Sequence, residues 1–153
     1  MTTTTAPEKT EKSKSKTADS KLIQGLNHAF NREVSTFLRY MQQVALLKGV
    51  EWDPLRKIYL EEVQDEMGHA QYLANKIVML GGRPSLEPDL SPPPDDPRKM
   101  LKNDIDEEHV DVRSYKKLAA LADDEGLIEL KLRMEDQAAD EARHAEQMQR
   151  LLG

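Results

Sequence analysis

Cysteine is absent from the 153 residues, which removes disulfides, thiolate nucleophiles, thiolate metal sites and iron–sulfur ligation together. Cysteine usage therefore says nothing about the redox compartment. No stretch approaches eighteen consecutive apolar residues, so no membrane-spanning helix is expected. Positive charge is not in excess: Lys plus Arg is 22, Asp plus Glu is 28, and the formal net charge is −6. A domain with that balance is a poor candidate for binding nucleic acid over its whole surface. The N-terminal residues lack the apolar core of a secretory signal, and no arginine precedes Arg32, which argues against a transit peptide. The expected location is the cytoplasm. Alternating β-branched runs and hairpin signals are also missing, leaving an all-α reading.

What is present divides into a tail and a single domain, with boundaries at residues 1–20 and 21–153. Residues 1–20 are Thr, Lys, Ser and Glu with no large apolar residue beyond Met1, too little to offset the entropy of ordering, so a flexible tail is expected. Four lysines against Glu8, Glu11 and Asp19 give it a weak positive charge, compatible with a weak DNA contact. From Leu22 an amphipathic helix is expected to run to about Gly49. Asp53 reads as an N-cap with Pro54 at the first helical position, opening a second helix that ends at Gly81-Gly82. Five prolines between residues 83 and 96 predict an extended crossover. Asp96-Pro97 repeats the start signal, Asp123 to Gly126 breaks the third helix, and a fourth runs from Leu127 almost to the end. The fold is a four-helix bundle of two antiparallel hairpins joined by a long crossover.

The two hairpins repeat one another at a constant offset, that from Glu66 to Glu141. Asp65-Glu66-Met67-Gly68-His69-Ala70 and Asp140-Glu141-Ala142-Arg143-His144-Ala145 both read D-E-x-x-H-A. The interval from Glu33 to Glu66 equals that from Glu108 to Glu141, and a tyrosine, Tyr40 or Tyr115, follows two turns after each first glutamate. From Glu33 to the turn is ~24 Å of helix and from Pro54 to Glu66 is ~18 Å, so a short loop brings the two glutamates to one level. Glu and His three apart share a helix face. Each hairpin thus offers one Glu from its first helix and a Glu-His pair from its second. Together they deliver four carboxylates and two imidazoles to one point inside the bundle.

Buried carboxylates cannot all stay ionised without compensation, and two divalent cations would balance four of them. Oxygen and imidazole donors without sulfur suit iron, manganese or zinc. Glu33 is no solvated surface residue, because Leu26, Phe30, Phe37, Tyr40 and Val44 all fall within about 60° of it on the helical wheel. A second stripe, Val34, Leu38, Met41 and Ala45, leaves helix 1 apolar over more of its circumference than a monomer needs. A subunit contact is its economical explanation.

On these residues the segment Leu22 to Leu151 resembles a bacterioferritin, a member of the ferritin-like di-iron family. Glu62–Ala70 (EVQDEMGHA) and the following Leu80-Gly81-Gly82-Arg83-Pro84 carry the likeness most specifically. The resemblance implies two iron ions per subunit, with Glu33 and His69 terminal on one, Glu108 and His144 on the other, and Glu66 and Glu141 bridging. It implies that Asp65 and Asp140 orient the imidazole of the opposite hairpin, and that Tyr40 stands beside the di-iron site. Met67 matches the axial ligand of a haem b shared at the subunit two-fold. As the residue after Glu66, it points ~100° away from the metals.

Only nine residues follow His144, so the short fifth helix of 24-subunit bacterioferritin cages is expected to be missing. Dimers assembling into a smaller homo-oligomeric shell, such as a 12-mer, are then favoured. The implied activity is a ferroxidase that oxidises Fe2+ with O2 or H2O2 and sequesters Fe3+. Two alternatives share the fold: a DNA-protecting mini-ferritin, and a di-iron or di-manganese enzyme that consumes peroxide.

Overall fold

The computed structural model describes residues 20–153, and the expected flexible tail with its DNA contact lies, but for Ser20, outside the described residues. Four helices make up the fold: α1 (Lys21–Leu46), α2 (Asp53–Met79), α3 (Pro97–Asp124) and α4 (Ile128–Leu152). No strand occurs among the described residues. The two hairpins, α1 with α2 and α3 with α4, make the closest packing, and α1 meets α3 and α2 meets α4 more sparsely.

Local chemistry sets the helix ends. The Ser20 hydroxyl accepts the Ile23 amide (3.1 Å), and the Asp96 carboxylate accepts the Lys99 amide (2.9 Å) ahead of Pro97. α3 stops in a Schellman turn: the Leu127 amide bonds to the Ala122 carbonyl (2.9 Å), the Gly126 amide to Asp123 (3.0 Å), and Gly126 takes φ +71°. The start of α2 differs from the sequence reading. Asp53 is already helical, after a 3-10 turn over Val50–Trp52, and its side chain does not cap. That carboxylate is bound by Arg56, which also donates to the Leu47 carbonyl (2.6 Å) and so ties the turn together.

The crossover is extended, as its prolines predict, and one face of α1 holds it. Asn27, Asn31 and Ser35 stand four residues apart and accept the amides of Ser85 (2.8 Å), Glu87 (2.6 Å) and Asp89 (2.8 Å). Two extended residues advance ~6.6 Å and four helical residues ~6.0 Å, so the two repeats stay in step.

The interior is layered along the bundle axis. One apolar cluster includes Leu22, Leu26, Phe30, Leu73, Ile77, Leu118, Leu130 and Met134. The other includes Leu47, Leu55, Tyr59, Val63, Met100, Leu101, Ile105 and Met148. Glu33, Glu66, His69, Glu108, Glu141 and His144 are buried at mid-length on their helices, separate from both clusters. Beside the second cluster Asp104 is fully buried, accepting hydrogen bonds from Tyr59 (2.6 Å), Gln43 (2.7 Å) and Arg39 (3.0 Å). Removing one member of a buried charged pair strands the other without solvent. Asp104→Ala is therefore expected to destabilise the fold by about 3 kcal/mol in chemical denaturation at fixed protein concentration, while Arg98→Ala changes it little.

Candidate metal centre

Each helix contributes at mid-length: Glu33 from α1, Glu62, Glu66 and His69 from α2, Glu108 from α3, Glu141 and His144 from α4, all buried. The six side chains expected from the repeat meet. His69 Nδ1 lies 3.0 Å from Glu141 Oε1, 3.5 Å from Glu66 Oε2 and 3.7 Å from Glu33 Oε1. His144 Nδ1 lies 3.3 Å from Glu66 Oε1, 3.4 Å from Glu141 Oε2 and 4.0 Å from Glu108 Oε2. Glu66 and Glu141 thus each turn one oxygen toward each imidazole. Two donor groups result, Glu33/Glu66/His69/Glu141 and Glu62/Glu66/Glu108/His144, with the donor atoms of each within 4.8 Å of one another.

The other hairpin holds the far side of the His69 ring and of two carboxylates, while His144 Nε2 faces Asp65 without a hydrogen bond. His69 Nε2 bonds to Asp140 Oδ2 (3.2 Å), and His144 Nε2 lies 3.4 Å from Asp65 Oδ2. Such partners leave Nδ1 as the inward-facing nitrogen. Tyr40 donates to Glu108, and Tyr115 donates to Glu33. Tyr115 is the repeat equivalent of Tyr40, and their equal spacing from Glu108 and Glu33 was the signal for it. Met67 stands apart from this group, 46% exposed on the outer side of α2.

Three buried carboxylates were not read from the sequence. Glu62 lies one turn before Glu66, with Oε2 3.9 Å from His144 Nδ1. Asp104 belongs to the network described above. Asp111 is bound by Arg32, which also reaches Glu107 (2.8 Å). Each is three or four residues from a repeat glutamate and so shares its face. That was the available signal.

The electrostatics follow from burial. Glu66 and Glu108 are pushed well above the ordinary carboxylate range, and Glu62 to about 8, with burial as the leading cause in each. Burial alone would lower both imidazoles. Even so, His69 is raised by Glu141, Glu33 and Glu66, and His144 by Glu141 and Glu62. Burial alone would raise Glu141, yet it is held low by Glu108 and the two imidazoles. Several inward atoms lack any hydrogen-bond partner: both Glu62 oxygens, Glu66 Oε1, Glu108 Oε2, Glu141 Oε1 and the two Nδ1 atoms. Buried polar atoms are rarely left so. This oxygen-and-imidazole set fits a pair of divalent cations, which would satisfy those atoms and offset the carboxylate charge.

Residues 23–153 match the ferritin-like domain family. The chain belongs to that family. It is 29% identical over 130 residues to a bacterioferritin of Rhodobacter capsulatus, a match spanning 84% of this chain and 80% of the relative. Among solved structures, a ferritin-like diiron-carboxylate protein from Bacillus anthracis superposes with TM-score 0.83 at 36% identity, covering 86% of this chain and 95% of that one. The R. capsulatus bacterioferritin structure, described as having a metal-free dinuclear site and a heme iron in a crystallographic special position, gives TM-score 0.78 at 27% identity, covering 88% and 85%. No helix among the described residues is long and apolar enough to cross a membrane.

A group whose folded pKa exceeds its unfolded value stabilises fully below the unfolded value, and that contribution fades as pH rises toward the folded one. Glu62, Glu66, Glu108 and both imidazoles are of this kind, and Glu141 alone opposes them. The metal-free protein is expected to melt at lower temperature at about pH 8 than at about pH 6, and divalent metal to reverse the trend. Thermal melts with and without a chelator measure both.

Proposed function

We propose that the chain is a ferroxidase and iron-sequestering protein whose substrate, Fe2+, binds in pairs within one subunit. The observation that carries this reading is the shared division of Glu66 and Glu141 between two imidazole nitrogens. In it Glu66 and Glu141 bridge the two ions, Glu33 and His69 complete one position, and Glu108 and His144 complete the other. Two Fe2+ ions held there supply two electrons, enough with two protons to take O2 to H2O2 or H2O2 to two waters. The rest is the work of the protein. Asp140 fixes the His69 ring by its hydrogen bond to Nε2, and Asp65 faces His144 Nε2 at 3.4 Å, so that Nδ1 of each ring is presented inward. Tyr40 holds Glu108 by Oε1 and leaves Oε2 for an ion, and Tyr115 holds Glu33 by Oε1, the oxygen that faces His69. Protons held by the metal-free cluster leave as cations enter.

The family and its bacterioferritin relative support iron storage as the wider role. Storage of Fe3+ calls for an oligomeric shell, and the surface offers a contact for one. Leu38 and Met41 on α1, and Leu60 and Met67 on α2, are large, apolar and exposed. In a pair of subunits meeting over this face, the Met67 of each subunit would hold a shared haem b by its thioether sulfur. Beside Met67, the exposed Gly68 lies in open space, so no side chain of this subunit covers that stretch of helix.

Anaerobic Fe2+ titration followed by oxidant is expected to saturate near two ions per chain, and Glu66→Ala to slow oxidation by at least about a hundredfold with helicity retained. Saturation at one ion per pair of chains would favour the DNA-protecting class, in which the site lies between subunits. Met67→Leu is expected to abolish the haem absorbance of protein supplied with haem. A band that survives the substitution, or its absence from the parent protein, would remove the haem assignment.

A further inference from the structure

The repeat that builds the metal centre is broken at one buried pair. Advancing by the repeat offset carries Glu33 to Glu108, Tyr40 to Tyr115, Asp65 to Asp140, Glu66 to Glu141 and His69 to His144. The same step carries Glu62 to Gln137. Both stand one helical turn before a bridging glutamate, and both are 2% exposed. Neither Glu62 oxygen has a hydrogen-bond partner, and neither polar atom of Gln137 has one. Four carboxylates lie within 4.0 Å of His144 Nδ1, those of Glu66, Glu141, Glu62 and Glu108, whereas three face His69 Nδ1, those of Glu141, Glu66 and Glu33, and Gln137 joins neither donor group. His144 Nδ1, on a side chain also 2% exposed and likewise unpartnered, faces Glu62 at 3.9 Å.

We propose that Glu62 is an additional carboxylate ligand of the His144 position, which makes the two cation positions unequal so that the first divalent ion settles beside His144. This rests on the reading of the cluster as a two-cation centre. The reason is charge and donor number. Glu66 and Glu141 are common to both positions and cancel in the comparison. Glu33 with His69 then stands against Glu108 with His144, an even match, and Glu62 is left as the surplus anionic donor on one side. A neutral carboxamide at Gln137 supplies neither the charge nor the second oxygen, and carboxylate oxygen is the stronger donor for a hard divalent ion. Tyr40 leaves free the Glu108 oxygen that faces His144, whereas Tyr115 occupies the Glu33 oxygen that faces His69, which adds to the difference.

Cobalt(II) under anaerobic conditions tests this without turnover. The expected result is two resolved binding steps by calorimetry in the parent protein. Crystals prepared with about one Co2+ per chain should show anomalous density beside His144. Glu62→Gln gives both halves of the repeat the same residue. It is expected to weaken the first step by about tenfold and to spread substoichiometric cobalt over both positions. Gln137→Glu should instead strengthen the weaker step and equalise the positions from the other direction. Equal occupancy in the parent protein, or a first step unmoved by Glu62→Gln, would overturn the inequality while leaving the two-cation centre standing. No cobalt bound at either position would overturn both readings.

Discussion

Carboxylates gathered at one depth of a helical bundle must each find a proton, a donor or a cation, because the surroundings cannot solvate them. Everything else in this molecule is arranged around that requirement. Apolar clusters lie toward either end of the polar layer and hold the four helices at fixed spacing. The tyrosine hydroxyls each occupy one oxygen of a glutamate on the opposite hairpin, which cross-ties the halves where the packing of helices is sparser. Without cations, burial favours the protonated forms of Glu62, Glu66 and Glu108, and the neighbouring carboxylates favour the protonated imidazoles. The same atoms are then poised to exchange protons for cations.

Around the layer the bundle carries a second set of buried charges with a different solution. Asp104 and Asp111 are each matched to an arginine of α1, Arg39 and Arg32, and Asp104 also takes a glutamine and a tyrosine. These pairs join α1 to α3, the contact between hairpins, and the repeat does not echo them: the positions equivalent to Asp104 and Asp111 in the first hairpin are Ala29 and Thr36. The chain has thus kept the duplicated donors and divided the supporting residues between its halves.

Much of this was legible from spacing. The doubled D-E-x-x-H-A, the equal intervals between paired glutamates and the matching tyrosines placed six donors at one level, because rise per residue converts sequence distance to height. Helix starts were less secure. Asp53-Pro54 has the letters of a cap, but Arg56 claims the carboxylate, so the decisive partner lay outside the two-residue signal. Glu62, Asp104 and Asp111 were hidden for a similar reason. An acid three or four residues from a functional glutamate is common on a solvated helix, and only neighbours on other helices make it buried. Glu62 was harder still, since the repeat pairs it with glutamine and offers no echo.

The ladder between α1 and the crossover acts as a toothed rack. Alternate amides, those of Ser85, Glu87 and Asp89, engage Asn27, Asn31 and Ser35. A slip of a single notch would bring Leu86, Pro88 and Leu90 to the same three acceptors, and Pro88 has no amide hydrogen to engage. That setting loses a rung, which favours one height of the second hairpin relative to the first. A proline that in the sequence only helps mark an extended crossover serves here as the pawl.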